Sequence, residues 1–166
     1  MSIREIVQGG LLTALSLLIP LVFGSFLVLR LPPFTATVAS HVPTMISMTI
    51  SPAVAFMVAA GSAIGFLITS DPVVAMRASM HIIFALVGAK MYQKGISFPK
   101  VLLATLPLHA ITEALVVIPF GFTLQKAGVV VGIGTALHHG LDSLITLAIF
   151  GLIGSYLARS KSTNRR

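Results

Sequence analysis

Residues 51–72 read SPAVAFMVAAGSAIGFLITSDP. No charged residue occurs between Pro52 and Thr69, and Pro52 falls where the first turn of a helix accepts proline. An uncharged apolar run of this length, closed by Ser-Pro before and Ser-Asp-Pro after, predicts a membrane-spanning helix. Similar runs lie on either side, at 6–26 (with Pro20) and about 73–92, 101–120 and 129–158. Polar connections, QKGISFPK and GFTLQKAG, separate the later ones. Residues 31–50, LPPFTATVASHVPTMISMTI, predict a loop with paired prolines and then a short helix over about 35–50, interrupted by His41 and Pro43. The expectation is an all-α integral membrane protein, a compact bundle of six transmembrane helices. It forms a single domain over 1–158, followed by a basic cytoplasmic tail over 159–166.

Composition supports this class. Of 166 residues, 56% are hydrophobic and 9% charged, with a mean hydropathy of +1.02; soluble domains carry about 25% charged residues. There is no cysteine, which excludes disulfides and thiolate chemistry. Arg4 followed by an apolar run resembles a signal peptide, but no small-x-small cleavage site follows, so a retained first helix is expected. The net charge of +7 does not point to nucleic acid, because the basic residues flank apolar runs or lie in the closing ARSKSTNRR. With six spans, Arg4, Lys90, Lys94, Lys100, Arg159, Lys161, Arg165 and Arg166 share one side, against Arg30 and Lys126 on the other. Positive residues mark the cytoplasmic side, so both termini are expected there, in a bacterial plasma membrane.

Against this apolar background the ionisable residues inside the spans stand out. Arg77, His81, Glu113, His138 and Asp142 all fall in the outer halves of helices four to six, with His109 about a turn deeper than Glu113 and His41 in the second helix. Titratable groups in hydrocarbon are costly and face a cavity or one another. Arg77 and His81, His109 and Glu113, and His138 and Asp142 are each four apart, so each pair shares one helix face. The pattern predicts an outward polar cavity above an apolar floor. Each group also has a plainer reading. His41 beside Pro43 would satisfy freed carbonyls, Arg77 would snorkel to headgroups, and the two acid–histidine pairs would serve as interhelical glue. His138 and its neighbour His139 point about 100° apart, so at most one of them is expected to face the cavity.

Small residues repeat every fourth position at Gly10 and Ala14, at Ala55, Ala59 and Ala63, and at Gly61 and Gly65, which permits close helix approach. The chain lacks GxxxxGK[ST], HExxH and G-x-S-x-G, so neither ATP hydrolysis nor hydrolase chemistry is expected of it.

The six-helix plan, the small-residue row in helix one, the proline-bearing loop and the segment SHVPTMISMTISPAVAFMVAAGSAIGFL make the chain resemble the substrate-binding S-components of energy-coupling-factor (ECF) vitamin transporters. The resemblance implies a non-enzymatic subunit of an ABC-type importer. Such a subunit captures a small water-soluble vitamin from outside and passes it to a transmembrane coupling protein and two ATPase subunits. It has no cofactor of its own, since ATP is hydrolysed by those partners. The coupling protein would contact Gly10 and Ala14, where Gly10 replaces the family's usual alanine. The vitamin would sit between the 31–34 loop, with Phe34, and Arg77, His81, Glu113, His138 and Asp142; His41 and His109 extend the set. Arginine favours an anionic solute, and no Trp is present for a stacking box. Pantothenate or nicotinate is therefore favoured, with hydroxymethylpyrimidine and pyridoxine still compatible. Two alternatives use the same residues: a divalent cobalt, nickel or zinc uptake component, or a stand-alone proton-coupled transporter.

Overall fold

A computed structural model describes residues 1–24, 26–31 and 34–163, with side chains described through residue 153. The paired prolines Pro32 and Pro33 and the last three residues of the predicted tail lie outside the described residues.

The protein is a bundle of membrane-length helices. Among the described residues, five stretches are long and apolar enough to cross a bilayer: Ile3–Phe23, Pro52–Thr69, Pro72–Gln93, Phe98–Phe120 and Lys126–Ile153. Helix α1 (Ile3–Leu18) opens on a capping box between Ser2 and Glu5 and runs into a π-helical turn over Ile19–Phe23. The third predicted helix appears as α3 (Pro52–Thr69), with Ser51 capping Val54 and Pro52 in the first turn. Asp71 caps the next helix in the same manner. That helix is broken at Met80 into α4 (Pro72–Ser79) and α5 (His81–Gln93). Helix α6 (Phe98–Val116) follows. A π-helical stretch, Lys126–Gly132, then leads into α7 (Ile133–Thr163). The helix therefore continues past 158, into what the sequence predicts to be a tail.

The predicted second helix over 35–50 is corrected. Strands β1 (Val28–Leu31) and β2 (Phe34–Thr37) pair as an antiparallel hairpin, and only α2 (Val42–Ser47) is helical. The reason is local. Phe34, Thr35 and Thr37 suit a strand, and Pro43 fixes a helix start at its second position rather than interrupting a longer one. Ser51-Pro52 then ends the segment, since a residue before proline avoids helical geometry.

Helices α1 and α3 run parallel. A Cβ on Gly9 would meet Val54 at 3.3 Å, one on Gly61 would lie 2.6 Å from Thr13, and one on Gly65 would lie 3.3 Å from Leu17. Ser16 Oγ donates across this contact to the Val58 carbonyl at 3.1 Å. The hairpin and α2 must therefore carry the chain back down the bundle between two parallel helices. The remaining helices alternate: Phe66 packs on Val74, Tyr92 on Phe98, and Phe98 on Phe150. As a result the start of α1 and the end of α7 lie at the same end. An apolar cluster with Met45, Met48, Ala59, Phe84, Phe98 and Leu102 fills that half. The polar groups gather above it, beneath the hairpin.

Candidate functional site

Five elements converge on the polar cluster. Helix α4 brings Arg77, α5 opens with His81, α6 carries His109 and Glu113, and α7 carries Thr135, His138, His139 and Asp142. His41 enters from the turn between β2 and α2. Arg77 is 4% exposed and Asp142 is fully buried. Arg77 thus points into the bundle and does not snorkel.

Glu113 is the hub. Its Oε2 accepts from Arg77 Nε at 3.0 Å and from a terminal guanidinium nitrogen at 2.7 Å. Thr135 Oγ1 donates to the same oxygen at 2.6 Å. The other oxygen lies 3.0 Å from His109 Nε2 and 3.5 Å from His81 Nε2. A buried guanidinium is tolerated only with such a partner. The Arg77 guanidinium also sits 5.1 Å from the centre of the Phe34 ring, a cation–π contact.

Asp142 organises the turn. One oxygen accepts the Ala39 amide at 2.9 Å and the other the His41 amide at 3.0 Å. Ala39 adopts φ 64°, left-handed backbone that a non-glycine residue rarely takes. The carboxylate holds it there. His138 Nε2 lies 3.2 Å from Asp142 and donates to the Thr37 carbonyl at 3.1 Å. Helix α7 thereby pins both the hairpin and the turn that presents His41.

The imidazoles touch one another directly. His41 Nε2 faces His81 Nε2 at 3.1 Å, and His109 Nδ1 faces His139 Nδ1 at 3.0 Å. Phe84 floors the group, its ring centre 4.3 Å from that of His109. His41, His81, His109 and Glu113 each bring a donor atom within 4.8 Å of the others, and His41, His138 and Asp142 form a second such set.

A narrow cleft opens onto the cluster. Thr35, Ser40, His41, Arg77, His81 and His138 line its polar wall, and Phe66 and Val74 its apolar one. The cleft shares Thr35, Thr37, Phe66 and Val74 with a wider vestibule that carries Arg30 and Asp71.

The structure therefore gathers Arg77, His81, Glu113, His138, Asp142, His41 and His109 around one point. Glu113 borders the cleft, whereas His109, Asp142 and Phe34 sit behind its lining. Phe34 wedges against Gly134, where a Cβ would lie 2.9 Å from its ring. The space left at Gly134 is thus filled by the protein's own side chain. Of the adjacent histidines, His138 lines the cleft and His139 lies behind it, bonded to His109 and to the Leu102 carbonyl at 3.1 Å. The imidazole of His41 turns to His81 and Asp142 rather than to carbonyls freed by Pro43. Sequence reasoning missed Thr135, Ser62 and the backbone of Ala39, because an isolated hydroxyl or amide carries no signal in a chain without fixed neighbours. Gly10 and Ala14 lie on the exposed face of α1, while Gly61, Gly65, Ala55 and Ala59 pack inside.

No family model and no solved structure matches the chain. It is 34% identical over 163 residues to the niacin transporter NiaX of Lactococcus lactis subsp. cremoris (strain MG1363), covering 93% of this chain and 69% of that protein. The chain belongs to the ECF vitamin transporter S-components. An S-component is a transport protein and not an enzyme, and this one is a multi-pass integral protein of the cell membrane.

Proposed function

We propose that this S-component captures nicotinate-class solutes from outside the cell and delivers them to a transmembrane coupling protein driven by two ATPase subunits. The observation that carries this reading is the small polar cleft, in a chain with 34% identity to a niacin transporter. The identity to a niacin transporter favours a single-ring pyridine solute over riboflavin, folate and the extended pantothenate chain. Phe66 and Val74 offer apolar contact to a ring, and the facing histidines and hydroxyls offer polar contact to its substituents.

In this reading the chain crosses the membrane six times, by the five long helices and by the returning hairpin–α2 segment. Both termini are cytoplasmic, as the distribution of Lys and Arg favours. The whole of 1–158 acts as one domain, and the exposed row of Gly10 and Ala14 docks the coupling protein. The test is calorimetric titration of the purified full chain with nicotinate, nicotinamide, pantothenate and pyridoxine. Tight binding of a nicotinate-class compound and weak binding of the others is expected. Preference for pantothenate or pyridoxine would defeat the assignment.

A further inference from the structure

Three imidazoles in the cluster turn the same ring nitrogen toward one point and the other nitrogen away from it. His41 Nε2 and His81 Nε2 lie 3.1 Å apart. His109 Nε2 and His81 Nε2 lie 3.0 and 3.5 Å from Glu113 Oε1. Facing outward, His81 Nδ1 meets Ser62 Oγ at 3.3 Å and His109 Nδ1 meets His139 Nδ1 at 3.0 Å. His41 Nδ1 lies 3.0 Å from Asp142 Oδ2, without the alignment of a hydrogen bond. An outward nitrogen held by a carboxylate, hydroxyl or carbonyl relay is how metal-bound imidazoles are oriented.

The proton inventory sharpens the point. A carbonyl only accepts, so His139 Nε2 carries the hydrogen that it shares with the Leu102 carbonyl. In a neutral ring His139 Nδ1 is then an acceptor, and His109 Nδ1 must be the donor between them. Neutral His109 is left with a lone pair on Nε2, aimed at a carboxylate oxygen 3.0 Å away. Two lone pairs at that distance repel unless a cation lies between them. A proton joins two atoms, but here four donors converge within 4.8 Å. Ligands of a tetrahedral ion with bonds of about 2.0–2.1 Å stand roughly 3.3 Å apart. The observed separations of 3.0, 3.1 and 3.5 Å bracket that spacing. The second set is unsuited. His138 Nε2 donates to the Thr37 carbonyl, and both Asp142 oxygens already accept amides.

We propose that His41, His81, His109 and Glu113 hold a resident divalent transition-metal ion, and that a ring nitrogen of the solute adds a fifth ligand to it from the cleft. The solute half of this proposal rests on the function proposed above. His41, His81 and Glu113 border the cleft, so an ion among them faces the solute. Imidazole-rich sets with one carboxylate suit zinc, nickel or cobalt. In this proposal the ion is a fixed part of the binding site rather than transported cargo.

The test uses the full chain purified by a histidine-free tag. Metal content is measured by plasma mass spectrometry, and the chelator-stripped protein is titrated with Co²⁺ while the visible d–d absorption is recorded. The expected result is a single ion per chain, a cobalt band, and a shift of that band by nicotinate and nicotinamide but not by benzoate, which lacks the ring nitrogen. Ser62→Ala should weaken cobalt affinity about tenfold through loss of the bond that orients His81. Should that variant not fold, the wild-type titration decides alone. Absence of both retained metal and a cobalt band, with nicotinate binding unchanged by chelator, would overturn the proposal and leave the proposed function standing. A band that calorimetrically bound nicotinate does not move would overturn the ring-nitrogen contact. A band without any nicotinate binding would overturn the solute assignment together with the function.

Discussion

Glu113 receives two bonds from Arg77, one from Thr135 and the approach of two imidazoles. Glu113→Gln removes the counter-charge and leaves a buried guanidinium uncompensated. Breaking a buried pair from one side costs about 3–5 kcal/mol, so thermal unfolding in detergent should show a large loss of stability, and solute binding should fail. At Gly134 the constraint is steric. Gly134→Ala sets a methyl 2.9 Å from the Phe34 ring, displaces the ring that lies against Arg77, and should cost about 1–3 kcal/mol. Weakened solute affinity in a protein that still folds is the expected readout. At this scale the sequence already exposed the titratable residues, because charge inside an apolar span is unmistakable. It did not reveal that Arg77 is committed to Glu113. Nothing in spacing along the chain relates positions 77 and 113, which sit on different helices.

Among the elements, the long helices were legible and the second was not. Ser51-Pro52 and Asp71-Pro72 cap α3 and α4 as the local chemistry demands. The 26–50 segment instead reflects a competition between the strand preference of Phe34–Thr37 and the helix start set by Pro43. Strand pairing prevails because β1 lies alongside to complete the ladder. The parallel seam between α1 and α3 depends on Gly61 and Gly65. Gly61→Val would drive a side chain into Thr13, whose Cγ2 already lies 2.6 Å from the position of a Cβ. A cost of about 1–3 kcal/mol is expected, read as a lowered unfolding temperature, whereas a bulky residue at Gly10, where a Cβ meets nothing within 4 Å, should leave stability unchanged.

For the whole molecule, the apolar cluster around Phe84 closes the end that holds the start of α1 and the end of α7, while the cleft opens toward the hairpin. Passage through the chain is therefore blocked in this conformation, and release requires a partner or a large rearrangement. Ala14→Trp, on the exposed face of α1, should spare solute binding by the isolated chain but impair uptake by the assembled importer. Full uptake by that variant in cells would remove this face from the docking surface.

Hydropathy, proline punctuation and i, i+4 spacing sufficed for the membrane class, the long helices and the titratable residues of the cluster, since each of these is a local property of the chain. Which side chains meet was settled by packing. Contacts such as Arg77 with Glu113, Asp142 with the turn at Ala39, and two imidazoles facing one carboxylate oxygen depend on how helices distant in sequence rotate and slide against each other. That fit is governed by glycine seams and by the hairpin, and no one-dimensional pattern encodes it.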